Sequence, residues 1–506
     1  MKILTAAEMR EVDRLTIDRG IPGLILMENA GNRVVDFLLE TFEDLNNQHA
    51  LVVCGKGNNG GDGFVVARQL FTRKLCGSLT VLELFDPETL SGDAATNRRM
   101  LDACGCPVLQ KLGNEANDVT VVVDAILGTG LSGPVKEGPA LNGIRLINEK
   151  FPLAVKVAVD LPSGLPSEET NPTSEFVQAD YSVTFTAARR LSNVGELTVL
   201  PIGTPAELCE TNPDFKLNLT VEDDLSDLLK PRKLNSNKGM YGHVLVVGGS
   251  FGKSGAPAMS GLGAYRSGAG LVTIGIPKSA LSTVAAVRPE LMTEPLEETE
   301  SGRVRFAEAP KLIELAKKMT VLAIGPGLGT EDETVRLVKK LYSEVEIPMV
   351  VDADALNALA GSLPQTDKIR VLTPHPGEMG RLVDKSVKDV QADRLGMAQH
   401  LAATSGATVV LKGDRTVIVF PDGEAWINPT GSPSMATGGT GDVLTGLIAG
   451  MIAQHPNDWK RAVIAAVWLH GRCGELGAEK WGEEAMLATD LLDFLPEAMN
   501  EVRPKV

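Results

Sequence analysis

Short apolar segments rich in β-branched residues recur along the chain, and several run directly into an acidic residue or a turn that contains glycine or proline. In the N-terminal half these segments are 50–54, 79–84, 119–123, 154–159 and 181–185. Strands of a parallel sheet are buried on both faces and have this continuous apolar character. Apolar residues at helical spacing occupy 5–40 and 64–71. The alternation predicts an α/β fold with a doubly wound sheet in this half.

The same alternation starts again after 205–235, a polar segment with scattered prolines and acidic residues that predicts a domain junction. Further strands are predicted at 243–247, 271–276, 321–324, 349–352, 371–373 and 409–412. A chain of 506 residues is long enough for two such domains. We therefore predict one α/β domain at 1–220 and a second at 225–506.

The net charge of −16 at pH 7 argues against nucleic acid and anionic membranes as partners, because both attract basic surfaces. No apolar run reaches the ~18 residues that a membrane-spanning helix needs. The N-terminal segment carries charges from residue 10 onward and does not have the pattern of a signal peptide. The six cysteines form no C-x-x-C pair, which fits a reducing compartment, so we predict a cytoplasmic protein.

A glycine-rich motif, NNGGDG at 58–63, follows the first predicted strand and precedes a helix. A turn of this kind can bring several backbone N–H groups to a phosphate at the helix N-terminus. A purely structural turn is the alternative for the same pattern.

Three polar residues follow predicted strands in the N-terminal half, namely Asn59, Asp124 and Ser163. Because the carboxyl ends of parallel strands meet at one edge of a sheet, we expect them on the same rim. Their oxygen atoms suit a hard monovalent or divalent cation. Asp160, also at a strand end, is left as the candidate acid or base. Helix capping or a turn is the alternative role for either aspartate.

The motif GGTGD at 438–442 is the strongest single signal of the C-terminal half. A glycine-rich turn that opens a helix offers amide N–H groups to the charge of a transferring phosphoryl group. Asp442 is then placed to accept a proton from a hydroxyl group that attacks phosphorus. Simple N-capping of the helix is the alternative.

Three further groups follow predicted strands in this half. Lys412 and Arg415 could bind nucleotide phosphates or belong to a solvated basic turn. His375, held between two prolines, could orient a substrate group or donate a hydrogen bond, or be structural. Asp352 and Asp354 could coordinate magnesium through waters, whereas helix capping is as good an explanation for Asp354.

The N-terminal half resembles the NAD(P)H-hydrate epimerase family over about 5–205, through LMENAG (26–31), NNGGDG (58–63), DAILGTG (124–130) and DLPSG (160–164). The resemblance implies a Rossmann-like domain that interconverts the R and S epimers at C6 of hydrated NADH or NADPH. It implies a potassium ion bound by Asn59, Asp124 and Ser163. The implied substrate residues are Asn58, Asn59, Gly60, Gly61, Asp62, Gly128, Thr129, Gly130, Leu131, Ser132, Gly133, Pro134 and Asp160.

One segment of the N-terminal half departs from that family. After ADYSVTF the family continues with a stretch that contains glycine or proline and bears a lysine, whereas this chain has TAARRLSNVG at 186–195. Arg189 or Arg190 could supply the positive charge there.

The C-terminal half resembles the ribokinase-like superfamily through GGTGD, and more closely the NAD(P)H-hydrate dehydratase family. The matching segments include KGMYGHVLVVGGS (238–250), YRSGAGLV (265–272), IGPGLG (324–329), VDADALN (351–357), LTPHPGE (372–378), LKGDRT (411–416) and NPTG…ATGGTGD (428–442). The resemblance implies that ADP or ATP, with magnesium, drives dehydration of the S epimer with release of phosphate. The implied contacts are Ala256, Gly327, His375 and Asp442 for the hydrate, and Lys412, Gly413, Asp414, Arg415, Thr416 and Gly441 for the nucleotide.

The C-terminal half also has a departure, since 431–435 is GSPSM where the dehydratase family often has Gly-Asn-Pro-Gly-Met. Two other functions fit part of the pattern. A ribokinase-like small-molecule kinase explains GGTGD but leaves the N-terminal motifs unused, and a non-enzymatic sensor of NAD(P) leaves Asp160 and Asp442 without a role. We expect the hydrated cofactors and ADP or ATP as small-molecule partners, and a homo-oligomer.

Overall fold

The structure, a computed structural model, describes residues 1–113, 116–131, 133–166, 174–189 and 193–504. It divides into two compact units, Met1–Phe215 and Lys216–Val506. The division falls inside the segment that the sequence predicts as a junction. No helix in the described ranges is long and apolar enough to cross a membrane.

The first unit is built on a sheet of six parallel strands in the order β2-β1-β3-β4-β5-β6. The strands are β1 (His49–Cys54), β2 (Ser78–Glu83), β3 (Val121–Ala125), β4 (Val155–Val159), β5 (Tyr181–Phe185) and β6 (Glu196–Leu200). The α-helices are α1 (Ala6–Asp18), α2 (Gly23–Thr41), α3 (Asn58–Arg73), α4 (Gly92–Ala103) and α5 (Pro139–Lys150).

Both faces of this sheet are covered, which explains the continuous apolar strands. Val52 and Cys54 of β1 belong to one hydrophobic cluster, whereas Leu51 and Val53 between them belong to another. Alternate residues of a strand point to opposite faces, so each face of β1 packs on its own core. The prediction of a doubly wound sheet is confirmed.

The motif NNGGDG forms the first turns of α3 and not a loop before it, which corrects the sequence prediction. Close packing is the reason. A Cβ atom on Gly60 would lie 1.8 Å from the carbonyl oxygen of Gly55, and one on Gly63 would lie 2.6 Å from the Cβ of Ala125. These glycines let α3 approach the strand ends, so they shape the helix packing directly.

The second unit contains a ten-stranded sheet in the order β10-β9-β8-β11-β12-β13-β14-β15-β16-β7. Neighbouring strands are parallel except for the pairs β14–β15 and β15–β16. The strands are β7 (Leu217–Leu219), β8 (His243–Val247), β9 (Leu271–Pro277), β10 (Met292–Leu296), β11 (Val321–Ile324), β12 (Met349–Val351), β13 (Arg370–Leu372), β14 (Thr408–Leu411), β15 (Val417–Val419) and β16 (Ala425–Ile427).

Helices cover both faces of this second sheet. Val244 and Val246 of β8 pack in one cluster, and Leu245 and Val247 pack in the other. The α-helices are α6 (Gly255–Arg266), α7 (Leu281–Ala285), α8 (Ala309–Ala316), α9 (Asp332–Glu344), α10 (Asp354–Leu359), α11 (Pro376–Val383), α12 (Val387–Ala392), α13 (Arg394–Ser405), α14 (Thr440–Gln454), α15 (Trp459–Trp481) and α16 (Leu491–Val502).

Gly60→Ala should destabilise the first unit by about 3 kcal/mol, because the new methyl group overlaps a backbone oxygen that cannot move aside alone. Gly57→Ala is the matched control, since no atom lies within 4 Å of its Cβ position, and it should change stability by less than about 0.5 kcal/mol. Thermal melting of the two full-length variants measures the difference. Equal melting temperatures would show that the tight contact at Gly60 does not matter.

Candidate functional site

A cavity of about 510 Å³ opens in the first unit at the carboxyl ends of the central strands. It lies where the strand order reverses between β1 and β3, the position at which doubly wound sheets bind ligands. The predicted residues that line it are Asn58, Asn59, Asp62, Gly128, Thr129, Gly130, Leu131 and Asp160. Ser132 lies outside the described residues. Gly60, Gly61, Gly133 and Pro134 are described but are not part of this lining.

Asp160 follows β4 with φ at 64°, a left-handed conformation that non-glycine residues seldom adopt. Thr184 donates a hydrogen bond from Oγ1 to Asp160 Oδ1 at 2.8 Å, and the Thr129 N–H donates to Oδ2 at 3.1 Å. Arg189 Nη2 lies 3.5 Å from Oδ1. Donors from three segments therefore converge on this carboxylate and hold it at the cavity wall.

Two further residues contribute charged side chains to the wall of this cavity. Arg189, a candidate for the positive charge in the divergent segment, lines it, whereas Arg190 lies outside the described residues. Asp13 of α1 also lines it, and burial raises its pKa to about 6, with Arg189 lowering and Asp160 raising it. Burial raises the pKa of Asp62 well above its ordinary value, and Asp160 adds to that effect.

The predicted cation ligands Asp124 and Ser163 are fully buried and contact each other directly. Ser163 donates from Oγ to Asp124 Oδ1 at 2.6 Å and from its backbone N–H to Oδ2 at 2.7 Å. Burial raises the pKa of Asp124 to about 6, although the bonds from Ser163 and Ile126 lower it. A bound cation would compensate the negative charge of the buried Asp124 carboxylate.

Asn59, the third predicted ligand, is also buried, and its Nδ2 has no hydrogen-bond partner among the described residues. A Cβ on Gly128 would lie 3.2 Å from Asn59 Oδ1 and 3.2 Å from Asp160 Oδ2, so only glycine leaves room between these groups. The oxygen atoms of the three side chains suit a hard cation, and neither Asp124 nor Ser163 lines the cavity itself.

A cavity of about 700 Å³ opens in the second unit beside the N-terminus of α14. The predicted residues that line it are His375, Lys412, Gly413, Asp414, Arg415, Thr416, Gly441 and Asp442. Ala256 and Gly327 are not in this lining. They lie next to each other, with a Cβ on Gly327 only 3.3 Å from that of Ala256, and they follow β8 and β11, where this sheet reverses its strand order.

Asp442 is the third residue of α14, and Gly439 is the N-cap with φ at 102°. The capping alternative for Asp442 is therefore wrong. No hydrogen bond within the described residues reaches its carboxylate. Burial raises the pKa of Asp442 to about 7, the nearby Asp352 raises it further, and Lys412 opposes them. The carboxyl group thus changes protonation state near neutral pH, as a general base for a hydroxyl requires.

Lys412 forms a buried ion pair, with Nζ 2.8 Å from Asp352 Oδ1. The buried environment favours a lower pKa for Lys412, but Asp352 and Glu378 outweigh it and the pKa is raised. A Cβ on Gly441 would lie 3.1 Å from Nζ, so the ammonium group sits beside the glycine-rich turn that opens α14. Lys412 therefore places a permanent positive charge at the first turn of α14.

His375 is the N-cap of α11, and the Gly377 N–H donates to its Nδ1 at 3.0 Å. Nδ1 must then be unprotonated, which leaves the proton on Nε2 as a donor. His375 lines the cavity and is half-exposed. The structural alternative is confirmed by this cap, and a hydrogen bond from Nε2 to a substrate group stays a prediction.

The sequence analysis missed two residues that hold this site together. His470 of α15 is buried, lines the cavity, and has its Nε2 2.9 Å from the Thr440 carbonyl oxygen. Burial lowers the pKa of His470 to about 4, so the ring is neutral. Arg394 donates to the carbonyl oxygens of Asp414 and Leu411. Their sequence signal is weak, since each sits in a helix far from the motifs it supports.

Asp352 and Asp354 both accept hydrogen bonds within the protein, and their coordination of magnesium through waters stays a prediction. Asp352 accepts hydrogen bonds from Thr373 and Thr445 in addition to Lys412. Asp354 accepts from the Gly329 N–H at 2.8 Å, and Ala353 is the N-cap of α10, so capping by Asp354 is wrong. Within the described ranges, no group of three or more His, Cys, Asp or Glu side chains is arranged to hold a metal ion.

Comparisons with known proteins agree with this division into two sites. The sequence model of the NAD(P)H-hydrate dehydratase family matches residues 244–497, and that described as YjeF-related protein N-terminus matches 23–191. The bifunctional NAD(P)H-hydrate repair enzyme Nnr of Moorella thermoacetica is 42% identical over 526 residues, which cover 100% of this chain and 98% of the relative. The chain belongs to the family of bifunctional NAD(P)H-hydrate repair enzymes.

Solved structures resemble the second unit. The ADP/ATP-dependent NAD(P)H-hydrate dehydratase of Bacillus subtilis is 35% identical with a TM-score of 0.51, covering 56% of this chain and 99% of that one. A ribokinase-like superfamily protein of Enterococcus faecalis is 30% identical with a TM-score of 0.50, covering 57% and 97%. The predicted ribokinase-like fold is confirmed, and full-length membership of the repair-enzyme family does not favour the kinase or sensor alternatives.

Asp442→Asn should leave this repair-enzyme chain folded and more stable than the parent, with a gain that grows from about pH 4 to about pH 7 and is constant above. The pKa of Asp442 is raised from 3.8 to about 7, so the folded state holds its proton more tightly than the unfolded state does. Ionisation of Asp442 therefore opposes folding as the pH rises, and asparagine removes that effect.

Melting temperatures of the parent and the variant between about pH 5 and pH 8 measure this difference. Asp332→Asn is the matched control, because Asp332 stands in the first turn of α9 but is exposed. It should lose only the small helix-dipole contribution, about 0.5 kcal/mol, at every pH in that range. A pH-independent loss of stability in Asp442→Asn would mean that the carboxylate has a structural role.

Proposed function

We propose that the first unit interconverts the R and S epimers of hydrated NADH or NADPH at C6, and that the second unit dehydrates the S epimer with ADP or ATP. The observation that carries the proposal is Asp442, whose carboxyl group stands in the first turn of α14, beside Lys412, with a pKa near neutrality. A group of this kind can accept a hydroxyl proton while the helix N-terminus stabilises the transferring phosphoryl group.

In the second unit, Asp442 accepts the C6 hydroxyl proton while the hydroxyl oxygen attacks the terminal phosphorus of the nucleotide. The bond from that phosphorus to the rest of the nucleotide breaks, so ATP yields ADP and ADP yields AMP. The C6–O bond then breaks with its electrons leaving on phosphate, and C5 gives a proton to the released phosphate as the C5=C6 double bond forms. Lys412 and the amides at the start of α14, Gly441 included, are placed to balance the phosphoryl charge.

The remaining residues of the second cavity position the two substrates in this proposal. His375 donates from Nε2 to the hydrate, a role that its capping bond at Nδ1 prepares. Ala256 and Gly327 contact the part of the hydrate that extends toward β8 and β11. The turn Gly413, Asp414, Arg415 and Thr416, supported by Arg394, contacts the nucleotide.

Magnesium is proposed to arrive with the nucleotide. Asp352 already accepts three hydrogen bonds, and Mg²⁺ commonly binds through substrate phosphates and waters with one or two carboxylates. The Bacillus subtilis relative was co-crystallised with ATP and Mg²⁺. When bound, the ion neutralises phosphate charge.

In the first unit, Asp160 is the proposed acid or base at C6, and Asn58, Asn59, Asp62 and Gly128–Leu131 form the substrate wall. Asn59, Asp124 and Ser163 are proposed to hold potassium, which supplies positive charge beneath the wall when bound. Gly60, Gly61, Ser132, Gly133 and Pro134 stay predictions as substrate contacts. A cytoplasmic location and a homo-oligomer also stay predictions.

Asp442→Asn should lower dehydration of the S epimer by ~10²–10⁴-fold, because asparagine cannot accept the hydroxyl proton. It should leave R-to-S conversion unchanged. Asp160→Asn should lower R-to-S conversion and leave dehydration unchanged. The assay supplies purified epimers of hydrated NADH, with and without ADP or ATP, and follows dihydronicotinamide absorbance and the epimer ratio. Dehydration by Asp442→Asn at the parent rate, or loss of both activities in either variant, would refute the assignment of one reaction to each unit.

Asp124→Asn should raise the potassium concentration that half-activates epimerisation, because one anionic ligand becomes neutral. Epimerisation is measured against added KCl, with choline chloride keeping the ionic strength constant. Asp118→Asn, an exposed residue just before β3, is the matched control and should give the parent curve. Epimerisation that does not respond to potassium in the parent chain would contradict the cation assignment.

A further inference from the structure

One carboxyl group of the first cavity has no role in the proposed reaction. Asp13 lies on α1 and faces the cavity together with Met9, Arg10 and Ile17, which are spaced along one side of the helix. The family model for this half begins at residue 23, so α1 lies outside that match. Asp13 and Asp160 line the same cavity from opposite ends of the first unit's sequence.

We propose that Asp13 is the second catalytic carboxyl group of the epimerase site and donates a proton to the ring nitrogen of the hydrate while Asp160 accepts the C6 hydroxyl proton. This inference rests on the proposed epimerase function. It assigns the acid and the base of that reaction to two different residues.

The chemistry of the substrate requires both roles. A hydroxyl group on C6, next to the ring nitrogen N1, is a carbinolamine, and its stereochemistry is lost when the ring opens. Removal of the hydroxyl proton lets the oxygen form a C6=O double bond, and the C6–N1 bond breaks with its electron pair moving to N1. A proton delivered to N1 completes the step, so an acid and a base act together.

The reverse step closes the ring on the other face. After rotation about C5–C6, N1 attacks the aldehyde carbon, its proton returns to Asp13, and the proton on Asp160 returns to the oxygen. Each carboxyl group ends in its starting state, and no oxidant, reductant or water is consumed.

The hydrogen-bond donors and charges around Asp13 differ from those around Asp160, as an acid and a base require. Thr184, Thr129 and Arg189 direct hydrogen-bond donors at the carboxylate of Asp160. No hydrogen-bond donor in the described part of the chain reaches the Asp13 side chain, and the negative charge of Asp160 favours a protonated neighbour. Two nearby carboxyl groups in such different environments can take the separate roles of acid and base.

The charged groups in the lining of the cavity come from five segments, whereas α2 and the segment after β3 contribute none. They are Arg10 and Asp13 of α1, Asp62 of α3, Asp93 of α4, Asp160 after β4 and Arg189 after β5. Asp62 is the other carboxyl group of this cavity whose pKa burial raises. Its burial raises its pKa well above the ordinary range, whereas Arg189 restrains that of Asp13 to about 6. An acid with a pKa near the working pH transfers its proton more readily than one that holds it tightly.

The test uses the full-length chain, the purified R epimer of hydrated NADH and no nucleotide, so that only epimerisation is measured by chromatography of the two epimers. Asp13→Asn keeps the shape of the side chain and removes the proton. We expect kcat to fall by ~10²-fold or more with KM changed by less than about threefold. The decline of kcat at alkaline pH, where Asp13 loses its proton, should disappear. Dehydration of the S epimer should stay at the parent rate, which shows that the variant is folded.

Asp18→Asn is the matched control, since Asp18 ends the same helix, is exposed and pairs only with Arg14 there. It should epimerise like the parent. Parent-like kcat in Asp13→Asn would overturn the inference, as would a loss confined to Asp62→Asn. A parent chain that does not epimerise at all would instead refute the proposed function of the first unit, and the inference with it.

Discussion

The second site depends on one buried carboxylate, Asp352, which is 1% exposed. Lys412 at the end of β14, Thr373 at the end of β13 and Thr445 in α14 all bond to it, at 2.8, 2.7 and 2.9 Å. A buried charge is tolerated only when such partners compensate it, and removal of one partner is strongly destabilising. The carboxylate therefore fixes α14 against the ends of the strands. Asp442 stands in the first turn of α14, so Asp352 fixes its position through that helix. The negative charge of Asp352 also raises the pKa of Asp442.

Glycine positions explain how the helices come close enough for these contacts. A Cβ on Gly446 of α14 would lie 2.0 Å from the carbonyl oxygen of Ser260 in α6. A Cβ on Gly60 of α3 would lie 1.8 Å from the carbonyl oxygen of Gly55. A glycine-rich motif in a sequence therefore has two physical explanations, approach to a ligand or approach to protein backbone. NNGGDG uses its glycines mainly for the second, and its polar side chains Asn58, Asn59 and Asp62 face the cavity.

The central strands were predictable because strands buried on both faces form nearly continuous apolar runs. Strands β6, β7, β10, β15 and β16 were missed, and four of them, β6, β7, β10 and β16, are partly exposed. Asp160 and Asp442 were predictable because each follows a recognisable strand or turn. Asp13, His470 and Arg394 were not, because each lies in a helix outside every motif that the sequence analysis identifies.

Backbone strain marks the same strand ends in both units. Asp160 after β4, Ala353 after β12 and Arg415 after β14 all have positive φ, at 64°, 50° and 50°. Each such residue costs of order 1–3 kcal/mol, so it persists only where the surroundings impose it. Hydrogen bonds to Asp160 from Thr184 and Thr129, and to the neighbours of Ala353 on both sides, supply that constraint. Part of the stability gained from packing is thus used to hold the proposed reacting groups in fixed directions, so that substrate binding would have less ordering left to impose.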